Sequence, residues 1–176
     1  NNGKIMQSPW KAKKYGQSDI FIARHILEHA YDLGEFASAS IDMVREGGYI
    51  LFEIPDCEAG LRDGDPTILW EEHTVYFTEA TFKNFLKNMG YPVIHFERVN
   101  YKYEDAFVAI IRKDPPKLEV IPNTLAKIEV QRFKKFSLQF NRNKSRFRNF
   151  LSRQRSEGKK IAIIGAGHMG NSFINY

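Results

Sequence analysis

The stretch Asp19-Ile-Phe-Ile-Ala-Arg-His-Ile-Leu-Glu-His-Ala-Tyr-Asp32, read on to Tyr49-Ile-Leu-Phe-Glu-Ile54, decides the fold. Asp19–Ala23 is a short apolar run of the kind that forms a buried strand. Asp32, with Glu35 three residues on, makes a capping-box-like helix start. Leu33, Phe36, Ala37, Ile41 and Val44 then recur at helical spacing. Gly47-Gly48 is expected to stop that helix, and Tyr49–Ile54 to form the next strand, ended by Pro55-Asp56. Strand, crossover helix and strand in this order predict a parallel pair, so the fold class is α/β.

Downstream, residues 56–68 are rich in Gly, Asp and Pro and read as a loop. Thr78 is placed to cap a helix with Phe82, Phe85, Leu86 and Met89 on its apolar face. Gly90 ends that helix and Pro92 blocks its continuation. Val93–Val99 and Ala106–Arg112 read as strands whose short connection permits only an antiparallel pairing. Lys113-Asp-Pro-Pro116 reads as a boundary. Residues 124–157 predict one long basic helix with Phe133, Phe136, Phe140, Phe147 and Leu151 as a core-facing stripe. Lys160–Gly165 is expected to be a strand running into the turn Gly165-Ala-Gly-His-Met-Gly170. These boundaries divide the chain into 1–116, a helical connector 117–158, and the start of a further Rossmann-like unit at 159–176.

Charge supports the division. The 176 residues carry a net +5, yet residues 127–160 hold 12 Lys/Arg against 2 Asp/Glu, and residues 1–126 hold 14 against 19. A basic segment is joined to a mildly acidic body, which argues against a surface that coats nucleic acid throughout. The Phe residues of the basic helix keep helical spacing, so their Lys and Arg neighbours read as a solvated face. The same charge suits attraction of a phosphorylated small molecule. The single cysteine, Cys57, leaves no disulfide framework within this stretch, and a cytoplasmic setting is the simplest reading. No apolar run is long enough to span a bilayer. The chain begins without Met and reads as part of a longer protein.

Three segments carry chemistry. Arg24-His25-Ile-Leu-Glu28-His29 follows the first strand, where open α/β sheets place their ligand crevice. Its bland alternative is a polar turn. Trp70-Glu-Glu72-His73-Thr-Val-Tyr76 sets an imidazole beside a carboxylate, a pattern suited to general base catalysis or, more simply, to the acidic first turn of a helix. A zinc reading of His25, His29 and His73 with Glu72 is open to these residue types, but His25 and His29 straddle a loop and nothing fixes their geometry, so no metal is expected. Gly165, Gly167 and Gly170 after an apolar run match a dinucleotide fingerprint, or else a tight turn that binds nothing.

Together these segments resemble a known family. Asp19–Asp32 resembles the fourth-strand region of class I S-adenosylmethionine-dependent methyltransferases, and Val44–Pro55 their next helix-to-strand passage. Glu71-Glu-His-Thr-Val-Tyr-Phe-Thr78 is similar to the Glu-His-x-x-Tyr-Phe segment of the sugar C-methyltransferases, which act on nucleotide-linked deoxysugars. Gly158–Tyr176 looks like the opening of that family's C-terminal Rossmann-like domain. The family usually has Tyr where this chain has Trp70. The resemblance implies S-adenosylmethionine as cofactor and a nucleotide-linked sugar as partner, with no nucleic acid or membrane. It implies His73 as base, Glu72 as its orienting group and His29 as the group that polarises a developing oxyanion. Ala23, Arg24 and His25 would lie toward the methionine end of the cofactor, and Trp70, Tyr76, Gly165 and Gly167 toward the substrate. The rival readings are O- or N-methylation of another small metabolite, and a non-catalytic nucleotide-binding or interaction module.

Overall fold

The computed structural model describes residues 16–102, 104–116, 125–165 and 167–175. They form two compact units, the described residues up to 56 with those from 72 to 116, and residues 57–71 with those from 125 onward. No helix among the described residues is long and apolar enough to cross a membrane.

The first unit is built on a four-stranded mixed sheet. Strands β1 (Ser18–Arg24) and β2 (Val44–Pro55) are parallel and joined by helix α1 (Leu33–Asp42). Strands β3 (Val93–Val99) and β4 (Ala106–Arg112) are antiparallel, and β4 pairs antiparallel with β2, giving the order β1-β2-β4-β3. The α/β class, the parallel pair and the antiparallel pair are those the sequence implies. Asp32 caps α1 through its carboxylate, which accepts from the Glu35 amide at 2.8 Å.

The Gly47-Gly48 expectation needs correction. The helix α1 ends four residues earlier, and β2 begins at Val44, which is fully buried. Two features account for this. The Lys113 side chain is buried and donates from Nζ to the carbonyls of Ile41 (3.0 Å) and Val44 (2.8 Å), drawing the chain off the helix. Gly47, at φ 74°, and Gly48 then make an irregularity inside β2 rather than a stop. A side chain on Gly48 would meet the Val44 side chain and the Asp19 carbonyl, so only glycine fits there.

The core lies on one face of the sheet. Ile50, Phe52 and Ile54 alternate along β2 and are fully buried, as period-2 geometry requires. Helix α2, here the segment Glu58–Asp63, belongs to the other unit; the helix that covers the sheet is α3 (Glu79–Asn88). Thr78 caps α3 in a reciprocal box with Thr81. Phe82, at the centre of its buried face, has ring neighbours in Phe77, Phe85, Phe96 and Phe107 at 5.6–6.4 Å between centroids. On β1, Ile20 and Ile22 remain exposed on the opposite face (56% and 58%).

In the second unit, residues 56–68 are not the expected loop. They contain α2 and a 3-10 turn at Pro66–Ile68. Helix α2 closes on Gly64 at φ 68°, and a Cβ on Gly64 would press on the backbone of Gln139 and Phe140. Those residues lie on α4 (Leu125–Ser156), the long helix read from the sequence. Asn143 Nδ2 donates to the Asp63 carbonyl at 2.8 Å and Arg132 pairs with Glu58 at 3.6 Å, so α2 is fixed to α4 at both ends. The aromatic stripe of α4 is only partly covered: Phe136 is buried, whereas Phe133 and Phe147 are exposed. A 32-residue helix is about 48 Å long, and a six-residue helix covers only a short part of it.

The expected strand at Lys160–Gly165 is absent among the described residues. Ile161, Ile163 and Ile164 are exposed there. A strand is defined by its ladder partner, and no described segment supplies one. The helix α5 (His168–Asn175) does follow the glycine turn, as the sequence implies.

Candidate active site

The carboxyl ends of β1 and β2 open onto a polar cluster. Strand β1 ends at Arg24, and His25 follows at φ 50°, a left-handed conformation that costs a non-glycine residue about 1 kcal/mol or more. That turn aims the imidazole between two carboxylates. His25 Nδ1 lies 3.6 Å from Glu28 Oε1 and Nε2 lies 3.4 Å from Glu53 Oε1.

Glu53 is buried near the end of β2 and is held by three groups. Arg24 donates from Nε and from its terminal nitrogen at 2.5 and 2.9 Å, and the Tyr101 hydroxyl donates at 3.2 Å. The Arg24 hydrogen bond is the main reason the Glu53 carboxyl sits below the ordinary carboxylate range. A depressed carboxyl contributes stability that is present above its unfolded pKa and lost as pH falls through the folded value. Glu53→Gln is therefore expected to lower stability at neutral pH, with the gap to wild type closing below about pH 4, the unfolded carboxyl range. Urea midpoints across pH 3–7 check this; curves that stay parallel down to pH 3 would refute it.

The 3-10 turn Leu27–His29 sits between β1 and α1. Leu27 is fully buried and anchors it. Glu28 is also buried, at 2% exposure, and burial pushes its carboxyl above the ordinary range. Its Oε2 has no hydrogen-bond partner among the described residues.

The second segment is stitched onto this turn. Thr74 donates its amide to the Glu28 carbonyl (2.8 Å) and its hydroxyl to the Ala30 carbonyl (2.6 Å), and the Val75 amide reaches Glu28 O at 3.3 Å. His29 Nδ1 lies 3.0 Å from the Glu72 carbonyl. A carbonyl only accepts, so Nδ1 carries a proton, and Nε2 is the ring nitrogen on the Glu28 side, 3.9 Å from Oε1. These bonds bring the His29 and His73 rings edge to face at 4.7 Å, with Tyr76 6.0 Å beyond His73.

The structure thus brings together His29, His73 and Tyr76, and places Arg24 and His25 beside them on the turn after β1. Ala23 is buried in the core, so its contribution to the mouth is backbone. The Glu72 side chain is exposed, and its contact in the site is the carbonyl that accepts from His29. Trp70, Gly165 and Gly167 belong to the second unit. Gly165 has φ 122°, and a side chain on Gly170 would strike the Gly165 carbonyl, so the turn is closed by its glycines. Glu28 enters the sequence reading as part of the Arg24–His29 segment but with no assigned role, and Glu53 enters it only within the strand Tyr49–Ile54. The available signal was an acidic residue within the apolar run Tyr49–Ile54, and another directly after Leu27.

Comparison with known proteins follows from this geometry. Residues 123–176 match the family model described as the C-methyltransferase C-terminal domain. No curated protein matches the chain. Among solved structures, it is similar to the N-methyltransferase NodS of Bradyrhizobium japonicum, with 15% identity over 57% of this chain and 53% of that one, at a TM-score of 0.39. It is also similar to a SAM-dependent methyltransferase of Methanosarcina mazei, with 17% identity over 59% and 61% and a TM-score of 0.42. An O-methyltransferase family protein of Burkholderia thailandensis shows 12% identity over 61% and 33%, with a TM-score of 0.44. The chain spans about a third to under two thirds of the length of these structures.

Proposed function

We propose that the protein is an S-adenosylmethionine-dependent methyltransferase that C-methylates a nucleotide-linked keto-sugar. The observation that carries this reading is the His29–His73 pair, assembled from two distant segments at the carboxyl end of the parallel strands. The family match of residues 123–176 supports the same chemistry. The divisions suggested by the sequence fit it: a methyltransferase part up to residue 116, a helical connector, and the opening of a second Rossmann-like domain.

The residues present suit the cofactor's charge. Its amino-acid end is zwitterionic, and Arg24 with the buried carboxylate of Glu53 offers both signs at the mouth. Arg24, His25 and the backbone of Ala23 would hold that end. When bound, the cofactor supplies an electrophilic methyl group on a sulfonium.

The chain's own residues prepare the acceptor. Removing a proton from the carbon beside a ketone needs a base near neutral pKa, and imidazole is that group. His73 takes the proton. His29 would stabilise the developing negative charge on the ketone oxygen through a proton on Nε2, because its Nδ1 proton is bonded to the Glu72 carbonyl. The Glu72 carbonyl, bonded to His29 Nδ1, fixes the tautomer and ring plane of His29. Tyr76 borders the acceptor side of His73.

Calorimetric titration of the full chain tests the reading. Heat on addition of S-adenosylhomocysteine and none with NAD is expected. Heat with NAD alone would replace it with a dinucleotide-binding role centred on the glycine turn.

A further inference from the structure

The function proposed above uses His29 and His73 but leaves the buried carboxylate between them unexplained. Glu28 is almost fully buried, and its Oε2 has no hydrogen-bond partner among the described residues. An ionised carboxylate in that state is costly unless a cation is supplied. Two imidazoles lie beside it, with His25 Nδ1 at 3.6 Å and His29 Nε2 at 3.9 Å from Oε1. One donor atom from each of Glu28, His29 and His73 lies within 4.8 Å of the others.

We propose that Glu28, His29 and His73 bind a first-row transition-metal dication of the Zn²⁺ type, and that the bound ion inhibits methyl transfer by occupying the imidazole that serves as base. The second half of this rests on the assignment of His73 as base. The first half stands on geometry alone.

Three features favour a metal. The donor set, two imidazoles and one carboxylate, is one that zinc and its neighbours in the first row accept. The three donors are close to a bound arrangement: ligands about 2.0–2.1 Å from a tetrahedral ion lie about 3.3 Å apart, so the 3.9 Å pair closes by small side-chain rotations. The outer shell is also in place. His29 gives its Nδ1 proton to the Glu72 carbonyl at 3.0 Å, which is the arrangement that orients a metal-binding imidazole and leaves Nε2 as the ligand. Three protein ligands leave a further position for water or a substrate oxygen.

Cobalt absorption on the full chain tests this. Wild-type protein is expected to develop visible d–d bands that saturate at one equivalent of Co²⁺ and are displaced by Zn²⁺. His29→Ala and the nearly isosteric Glu28→Gln should each weaken Co²⁺ affinity at least about 10-fold, the lower edge of what even outer-shell changes cost. His95→Ala, on the far strand β3, should leave both binding and turnover unchanged. Circular dichroism establishes that each variant is folded. Methyl transfer should fall in parallel with Co²⁺ or Zn²⁺ occupancy. Absent bands, or bands unaltered in both His29→Ala and Glu28→Gln, would overturn the site. Full occupancy with unchanged turnover would overturn the inhibition. A protein with no methyl transfer under any condition would overturn the function proposed above, and the absorption measurement would still decide the metal site.

Discussion

Replacing His73 by alanine is expected to lower kcat for methyl transfer by about 10²–10⁴-fold, the usual worth of a positioned general base. The fall should appear in kcat with the affinity for S-adenosylhomocysteine unchanged, because the groups proposed to hold the cofactor are Arg24, His25 and the backbone of Ala23. His73 earns this role by position. Its segment is hydrogen-bonded to the turn that carries His29, and the two rings lie 4.7 Å apart. One imidazole can then remove a proton while the other faces the oxygen that gains charge. Near-normal turnover in the alanine variant would remove His73 from the chemistry. A loss confined to KM would make it a substrate-binding group instead.

The largest effect on stability is expected from Phe82→Ala. Phe82 is fully buried and sits among four aromatic rings from α3, β3, β4 and the segment before α3. Truncating a buried Phe costs about 3–5 kcal/mol, through lost transfer energy and the cavity left behind. The neighbouring rings are rigid and held by two strands, so collapse into the cavity is limited. A lower urea midpoint at unchanged slope is the expected signature. A cost below about 1 kcal/mol, the ordinary value for an unexceptional substitution, would show that the aromatic cluster does not organise the core.

Much of the fold was legible because its signals are local. Asp32 and Thr78 cap the helices they were expected to cap, and the short link between Val99 and Ala106 permits only an antiparallel return. The misreadings share a physical reason. Helix α2 lies in a Gly- and Asp-rich stretch of low propensity and forms against α4, with Gly64 fitted to the backbone at Phe140. Strand β2 starts at Val44 because Lys113, about 70 residues later, takes the carbonyls that would have continued α1. The apolar run at Ile161–Ile164 has strand composition but no ladder among the described residues. In the site, the imidazoles could be picked out by residue type. Glu28 stands in a segment marked by its histidines, but its burial and that of Glu53 could not be read, because acidic residues are usually solvated and only the tertiary structure shows that these two are buried.

The joint made by Thr74 has a consequence for how the site comes and goes. Two amides and one hydroxyl tie the His73 segment to a three-residue turn, and none of these bonds belongs to the sheet ladder. Opening the joint would part the two imidazoles while β1–β4 and their aromatic core stay intact. Assembly of the site therefore has its own free energy, smaller than that of global unfolding. The sheet does not require the His29–His73 contact, so that contact can be lost without unfolding the strands. Competence in the proposed chemistry would then depend on these hydrogen bonds together with the anchoring of Phe77 in the core.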